Sequence, residues 1–288
     1  RDAVLDTLAG AGEDYDEVYS AGYSNLTYLD VEQRRLDQAA ALLDISLTLA
    51  IERDLPICRV WQLGSRGRLA LLRGDWDAAL ADAEAVLSGA AAPVARTWPH
   101  VVRGLITLRR GGDGDADLDE AWRLACRFGE PVRLLPVAAA LAERAWVLGV
   151  GDDRLARAGD LVRDPRPGLA WGRGELAVWL RRGRTGAAPD PGPSAAGTAP
   201  ADAAAVAHMA EPYALELAGR HRDAADRWAA LSCAYERALA LVGSDDEDDT
   251  RAGLAELDRL GAHPVAARVR HDLRARGLTP ASPRRAST

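Results

Sequence analysis

The sequence predicts an all-α chain folded as a solenoid of helical hairpins, an α-α superhelix. Three observations carry that prediction. Ala, Leu, Arg, Asp and Gly are the most frequent residues, and aromatic residues make up only 5% of the 288 positions. The common residues are mostly helix formers, and strand formers are sparse. A spacing of large residue, Ala three later and apolar residue four after that recurs along the chain. A Gly-x-large turn stands directly before two of the copies.

The copies, in order, are Leu36/Ala39/Leu43, Trp76/Ala79/Ala83, Leu118/Ala121/Ala125, a weaker Leu155/Ala158/Val162, and His221/Ala224/Trp228. The first four start 40, 42 and 37 residues apart. Positions i, i+3 and i+7 share one face of a helix, and the small Ala between them lets a neighbouring helix come close. Gly74-Asp75-Trp76 and Gly219-Arg220-His221 read as a left-handed glycine that ends one helix just before the next begins. Each copy is therefore the second helix of a pair. The first helices are expected at Asp16–Asp30, Arg59–Arg73, Pro99–Arg110, Pro131–Leu148 and Glu211–Ala218. Trp76 and Trp228 are expected in the core.

Breaks in the pattern set the expected organisation. Residues 185–200 read TGAAPDPGPSAAGTAP, a Pro/Gly/Ala-rich linker that cannot hold a helix. It separates an N-terminal helical-repeat array, residues 1–184, from a C-terminal helical-repeat segment, residues 201–278. Residues 279–288 form a tail rich in Pro, Ser and Arg. The acidic run Ser244–Thr250 lacks the Gly and distal Glu of a calcium loop and reads as a turn favouring the next helix N-terminus.

Several function classes are disfavoured. The net charge of -7 opposes a nucleic-acid polyanion, so no direct nucleic-acid contact is expected. The Arg-dense stretch Arg181–Arg184 and the late positions Arg268, Arg270, Arg274 and Arg276 read as helix-end complements facing water. Leu134–Val150, the most apolar stretch, is cut by Glu143 and Arg144, so no membrane span is expected. Cys58, Cys126 and Cys233 are odd in number and far apart, as in a reducing, cytoplasmic compartment. All 36 basic residues other than His are Arg; without Lys no phosphate loop of the Gly-Lys-Ser/Thr type can form. Neither Gly-x-Ser-x-Gly nor His-Glu-x-x-His occurs. The five histidines, His263 and His271 among them, show no ligand spacing. The chain is expected not to be an enzyme, with no catalytic, cofactor-binding or metal site and no cofactor of its own.

Tyr23-x-x-Leu26 and Ala39-x-x-x-Leu43 resemble elements of the tetratricopeptide repeat, although Thr27 stands where that motif has Gly. The period here is also longer than the ~34 residues of that repeat. From about Leu26 onward the chain resembles the large ATP-binding LuxR-type transcriptional regulators. The resemblance is densest at Gly174–Leu180 (GELAVWL), Glu211–Gly219 (EPYALELAG), Trp228–Leu241 (WAALSCAYERALAL) and Leu257–Arg270 (LDRLGAHPVAARVR). Ala234 stands where the family often has Pro. The resemblance implies a sensor and coupling region, a piece of a longer parent. In such a parent a P-loop ATPase precedes the repeats, and a helix-turn-helix DNA-binding domain follows the tail. ATP and DNA binding would belong to that parent. The partner would be a small-molecule inducer or a protein on a concave surface, with homo-oligomers possible. Trp61, Arg68 and Leu72 are candidates for that surface. The alternative is a stand-alone tetratricopeptide-type scaffold for protein–protein interaction.

Overall fold

The computed structural model describes residues 16–166, 168–185, 206–275 and 277. The described residues form fourteen α-helices, two short 3-10 turns and no strand. None of these helices is long and apolar enough to cross a membrane. Two compact units divide the chain, Arg1–Arg103 and Gly104–Thr288.

Unit 1 holds α1 (Asp16–Glu32), α2 (Leu36–Glu52), α3 (Pro56–Arg73), α4 (Trp76–Ser88) and the start of α5 (Thr97–Arg109). Helix α1 packs on α2 and α3, and α3 packs on α2 and α4. The recurrent positions Leu36, Ala39, Leu43, Trp76, Ala79 and Ala83 are all buried. The role expected of the small residues is visible where α3 meets α4. A Cβ added at Gly67 would stand 3.3 Å from the Asp82 Cβ and 3.4 Å from the Ala79 carbonyl. Two small faces there bring the helices almost backbone to backbone.

Unit 2 continues with α6 (Asp115–Phe128), α7 (Pro131–Leu148), α8 (Ala158–Arg163), α9 (Ala170–Thr185), α10 (Glu211–Leu217), α11 (His221–Ala230), α12 (Ala234–Leu241), α13 (Glu247–Arg259) and α14 (His263–Ala275). Successive helices pack from α9 to α14, and α9 also lies on α7. Helix α14 then returns to α7, where the Arg268 guanidinium lies 6.0 Å from the centre of the Trp146 ring. Leu118, Ala121, Ala125, Ala158, Val162, Ala224 and Trp228 are buried. The weak fourth copy is weak in fact: Leu155 lies half-buried in a 3-10 turn before the short α8.

One turn repeats throughout. After α1, α2 and α3, residues Arg34, Asp54 and Gly74 are left-handed and stand 20 residues apart. In each case that residue's N–H bonds three residues back and the next N–H bonds five back, as in Gly74→Leu71 and Asp75→Ala70. This is the Schellman termination. The same pair of bonds closes helices at Gly111, Gly149, Gly219, Ser232 and Gly261. Only the glycine-bearing cases had a sequence signal. Arg34 reaches the same conformation by donating from Nη1 to the Glu32 carbonyl at 3.0 Å, which stabilises the helix end from its own side chain.

The predicted first helices appear with ends within three residues of the expected bounds. The expected linker at 185–200 and the tail at 279–288 lie, apart from Thr185, outside the described residues. The helices flanking the linker, α9 and α10, pack on each other within unit 2. The acidic run caps a helix as expected: the Asp246 carboxylate accepts from the Asp248 and Asp249 N–H groups at the start of α13.

Guanidinium–carboxylate pairs tie neighbouring helices. Arg66 on α3 grips Asp82 on α4 with two bonds of 2.8 and 2.6 Å. Arg144 on α7 does the same to Asp115 on α6. Two parallel bonds fix the relative position of two helices in a way a single ammonium contact does not.

Candidate functional site

The return of α14 to α7 leaves a cleft in unit 2 of about 480 Å³. That falls within the range of small-molecule sites, roughly 300–1,000 Å³. Helical spacing sets its lining. Val178, Arg181 and Arg182 share one face of α9; Leu239 of α12 and its capping residue Val242 follow at i, i+3; Val269, Asp272 and Leu273 come from one face of α14. Trp146 of α7, Glu216 and Leu217 at the end of α10, His221 and Asp245 complete most of the wall.

The charges are arranged in pairs. Arg182 donates from Nη2 to Oε2 of Glu216, and its guanidinium lies 4.8 Å from the centre of the Trp179 ring. Oε1 of the same carboxylate accepts from the Trp228 indole N–H at 2.9 Å. Burial pushes the Glu216 carboxyl above the usual carboxylate range, and Arg182, the Trp228 bond and Arg181 offset part of that rise. Asp272 is 3.1 Å from Arg268 on its own helix. Arg181 donates from Nη1 to the carbonyls of Glu216, at 3.1 Å, and of Leu217. Both oxygens belong to the C-terminal turn of α10, and that of Glu216 also accepts from the Gly219 N–H at 3.0 Å.

Trp228 sits in an aromatic group with Tyr213, 4.8 Å away and edge-on, and Trp171, 6.1 Å away. Further into unit 2 lies a second charged group. Arg109 meets Glu143 through two bonds of 2.7 and 2.8 Å. The Tyr235 hydroxyl donates to Glu143 Oε1 at 2.6 Å, and the Arg109 guanidinium lies 3.7 Å over the Tyr235 ring. All three side chains are buried. Burial and the Glu143 charge push the Tyr235 phenol well above its ordinary value, so it stays a proton donor. Buried charges of this kind persist only when paired and hydrogen-bonded.

The arrangement is suited to recognition: apolar side chains, one Trp and charges of both signs line the same cleft. Among the described residues no group of three or more His, Cys, Asp or Glu side chains could hold a metal ion. The surface candidates of the sequence fare differently. Arg68 and Leu72 are buried; Arg68 lies 4.1 Å over the Trp98 ring and packs within unit 1. Trp61 is half-buried. The reading of Arg181–Arg184 as a solvated helix end needs correction for Arg181 and Arg182. Both are half-buried and serve a neighbouring helix, because α10 ends against α9 and offers them its carbonyls and Glu216. The signal available for the cleft was the set of resemblance segments. Val178, Glu216, Leu217, Gly219, Leu239 and Val269 of its lining all fall within them. Comparison with protein-family models, curated proteins and solved structures finds no match to this chain.

Proposed function

We propose that this chain is the effector-sensing region of a LuxR-type transcriptional regulator, a cytoplasmic tetratricopeptide-like superhelix that holds a small molecule in the unit 2 cleft. One observation carries the reading: the four segments that resemble that family supply six of the residues lining a ligand-sized cleft. Coupling follows from linkage. A ligand that fits one arrangement of α9, α10, α12 and α14 better than another shifts the balance between them, and the parent's DNA binding follows.

The test is a thermal-shift screen of sugars, nucleotides, organic acids and peptides against the chain and against Leu217→Trp, which places an indole in the cleft. A bound compound raises stability by RT ln(1 + [L]/Kd). A shift seen in the native chain and lost in Leu217→Trp supports the reading. Compounds that shift both proteins equally, or none that shift the native chain, remove the cleft as a sensor.

The stand-alone scaffold reading has one observation in its favour. Ile51 and Ile57, flanking the turn between α2 and α3, are 61% and 73% exposed, as at a protein contact. A parent polypeptide without a LuxR helix-turn-helix leaves this second reading standing and sinks the first.

A further inference from the structure

We propose that the cleft takes a monoanionic organic carboxylate with an apolar body, its carboxylate held by Arg181; this rests on the reading of the cleft as the effector site.

Two ion pairs at the cleft are made without Arg181. Arg182 is matched to Glu216, and Asp272 to Arg268. Arg181 has no carboxylate within ion-pair distance among the described residues; its bonds there go to two carbonyl oxygens, both from Nη1. Nε and Nη2 remain as a donor edge on a half-buried guanidinium that borders the cleft. Such an edge matches the two oxygens of a carboxylate. The α10 carbonyls hold the guanidinium through Nη1, so little side-chain entropy is lost on binding.

The remaining lining selects the rest of the ligand. Glu216, Asp245 and Asp272 also border the cleft. They oppose a phosphate dianion, which needs more than one unmatched cation, and tolerate a single negative charge at Arg181. Val178, Leu217, Leu239, Val242 and Val269 offer apolar surface to a chain or ring. A fully hydroxylated or doubly charged ligand would leave its polar groups facing these side chains without partners.

The experiment is isothermal titration calorimetry of the whole chain with octanoate and 4-phenylbutanoate. It is repeated with 4-phenylbutanol, 4-phenylbutylamine and inorganic phosphate. The acids are expected to bind at least tenfold more tightly than the alcohol, with the amine and phosphate silent. Arg181→Gln is expected to weaken the acids on the order of tenfold or more and leave the alcohol unchanged. Arg181→Lys is expected to recover part of the loss, and Leu217→Trp to abolish binding. Equal acid binding in Arg181→Gln, an alcohol or amine as tight as the acid, or no acid binding overturns the proposal. If Arg181→Gln does not fold, the acid-to-alcohol ratio and its fall with added salt in the native chain decide the matter. Binding of the alcohol that Leu217→Trp abolishes, with no advantage for the acid, defeats the carboxylate while leaving the cleft a sensor.

Discussion

Unit 1 and unit 2 use the same helix, the same signature and the same turn, and reach different interiors. In unit 1 the left-handed turn residues are evenly spaced, and α1 to α4 run 13 to 18 residues. Helices of similar length joined by one turn pack along their whole faces. The cross-helix pair Arg66–Asp82 then sits at the edge, with Arg66 48% exposed. In unit 2 the helices range from 6 to 18 residues. Short α10 and α12 end where their longer neighbours continue, and the mismatch leaves both a cleft and charges that must be satisfied inside. The cleft goes with the uneven helix lengths of unit 2, whereas buried charge pairing occurs in both units, at Arg68–Glu32 in the first and Arg109–Glu143 in the second.

Four measurements probe that contrast, from the largest expected effect to the smallest. Trp228→Ala should lower unfolding stability by at least the roughly 3–5 kcal/mol of a buried Trp truncation, because it also strips Glu216 of a donor. Urea denaturation reads this, and a loss under about 1 kcal/mol would show that the aromatic group is not core.

The second pairs the two units. Glu143→Gln should cost about 3–5 kcal/mol, since the buried Arg109 loses the carboxylate that grips it through two bonds. Asp82→Asn in unit 1 should cost only about 0.2–1 kcal/mol because Arg66 keeps water. Equal losses would erase the distinction between a pair sealed from water and one that keeps it.

The third tests the turn. Gly219→Ala meets nothing within 4 Å, so its cost is backbone strain alone, about 1–2 kcal/mol. Ser232→Gly, at the same left-handed geometry with a non-glycine, should gain less than about 1 kcal/mol. Thermal melts of the two variants should move in opposite directions.

The smallest effect is the pH dependence at Glu216. Its folded carboxyl is raised, so its contribution is fully present below the unfolded value and fades as pH climbs through the folded value. The stability difference between the native chain and Glu216→Gln should therefore shift against the native chain as pH rises above the ordinary glutamate range. A pH-independent difference would mean that Arg182 and Trp228 hold the carboxylate ionised throughout.

The legible parts of the sequence were those fixed by local chemistry. Apolar spacing and glycine turns located α3, α4, α7, α10 and α11 because they report a helix's own face and its own end. The turns at Arg34, Asp54 and Ser232 escaped notice because nothing in those residue types advertises a left-handed backbone. The cleft was illegible for a different reason. Arg181 and Glu216 are 35 positions apart and meet only because α10 stops beside α9, and no periodicity encodes where one helix ends relative to another. Arg68 misled in the opposite sense: an arginine on a first helix suggests solvent, yet Glu32 and Trp98 enclose it.

The pairs that hold these helices have a consequence for the bench. With 36 arginines and no lysine, the chain offers no side-chain amine. Ester-based fluorophores and amine cross-linkers will find no lysine to acylate, so proximity mapping of this protein must go through carboxylate, guanidine or thiol reagents. The exposed Cys126 provides one thiol handle.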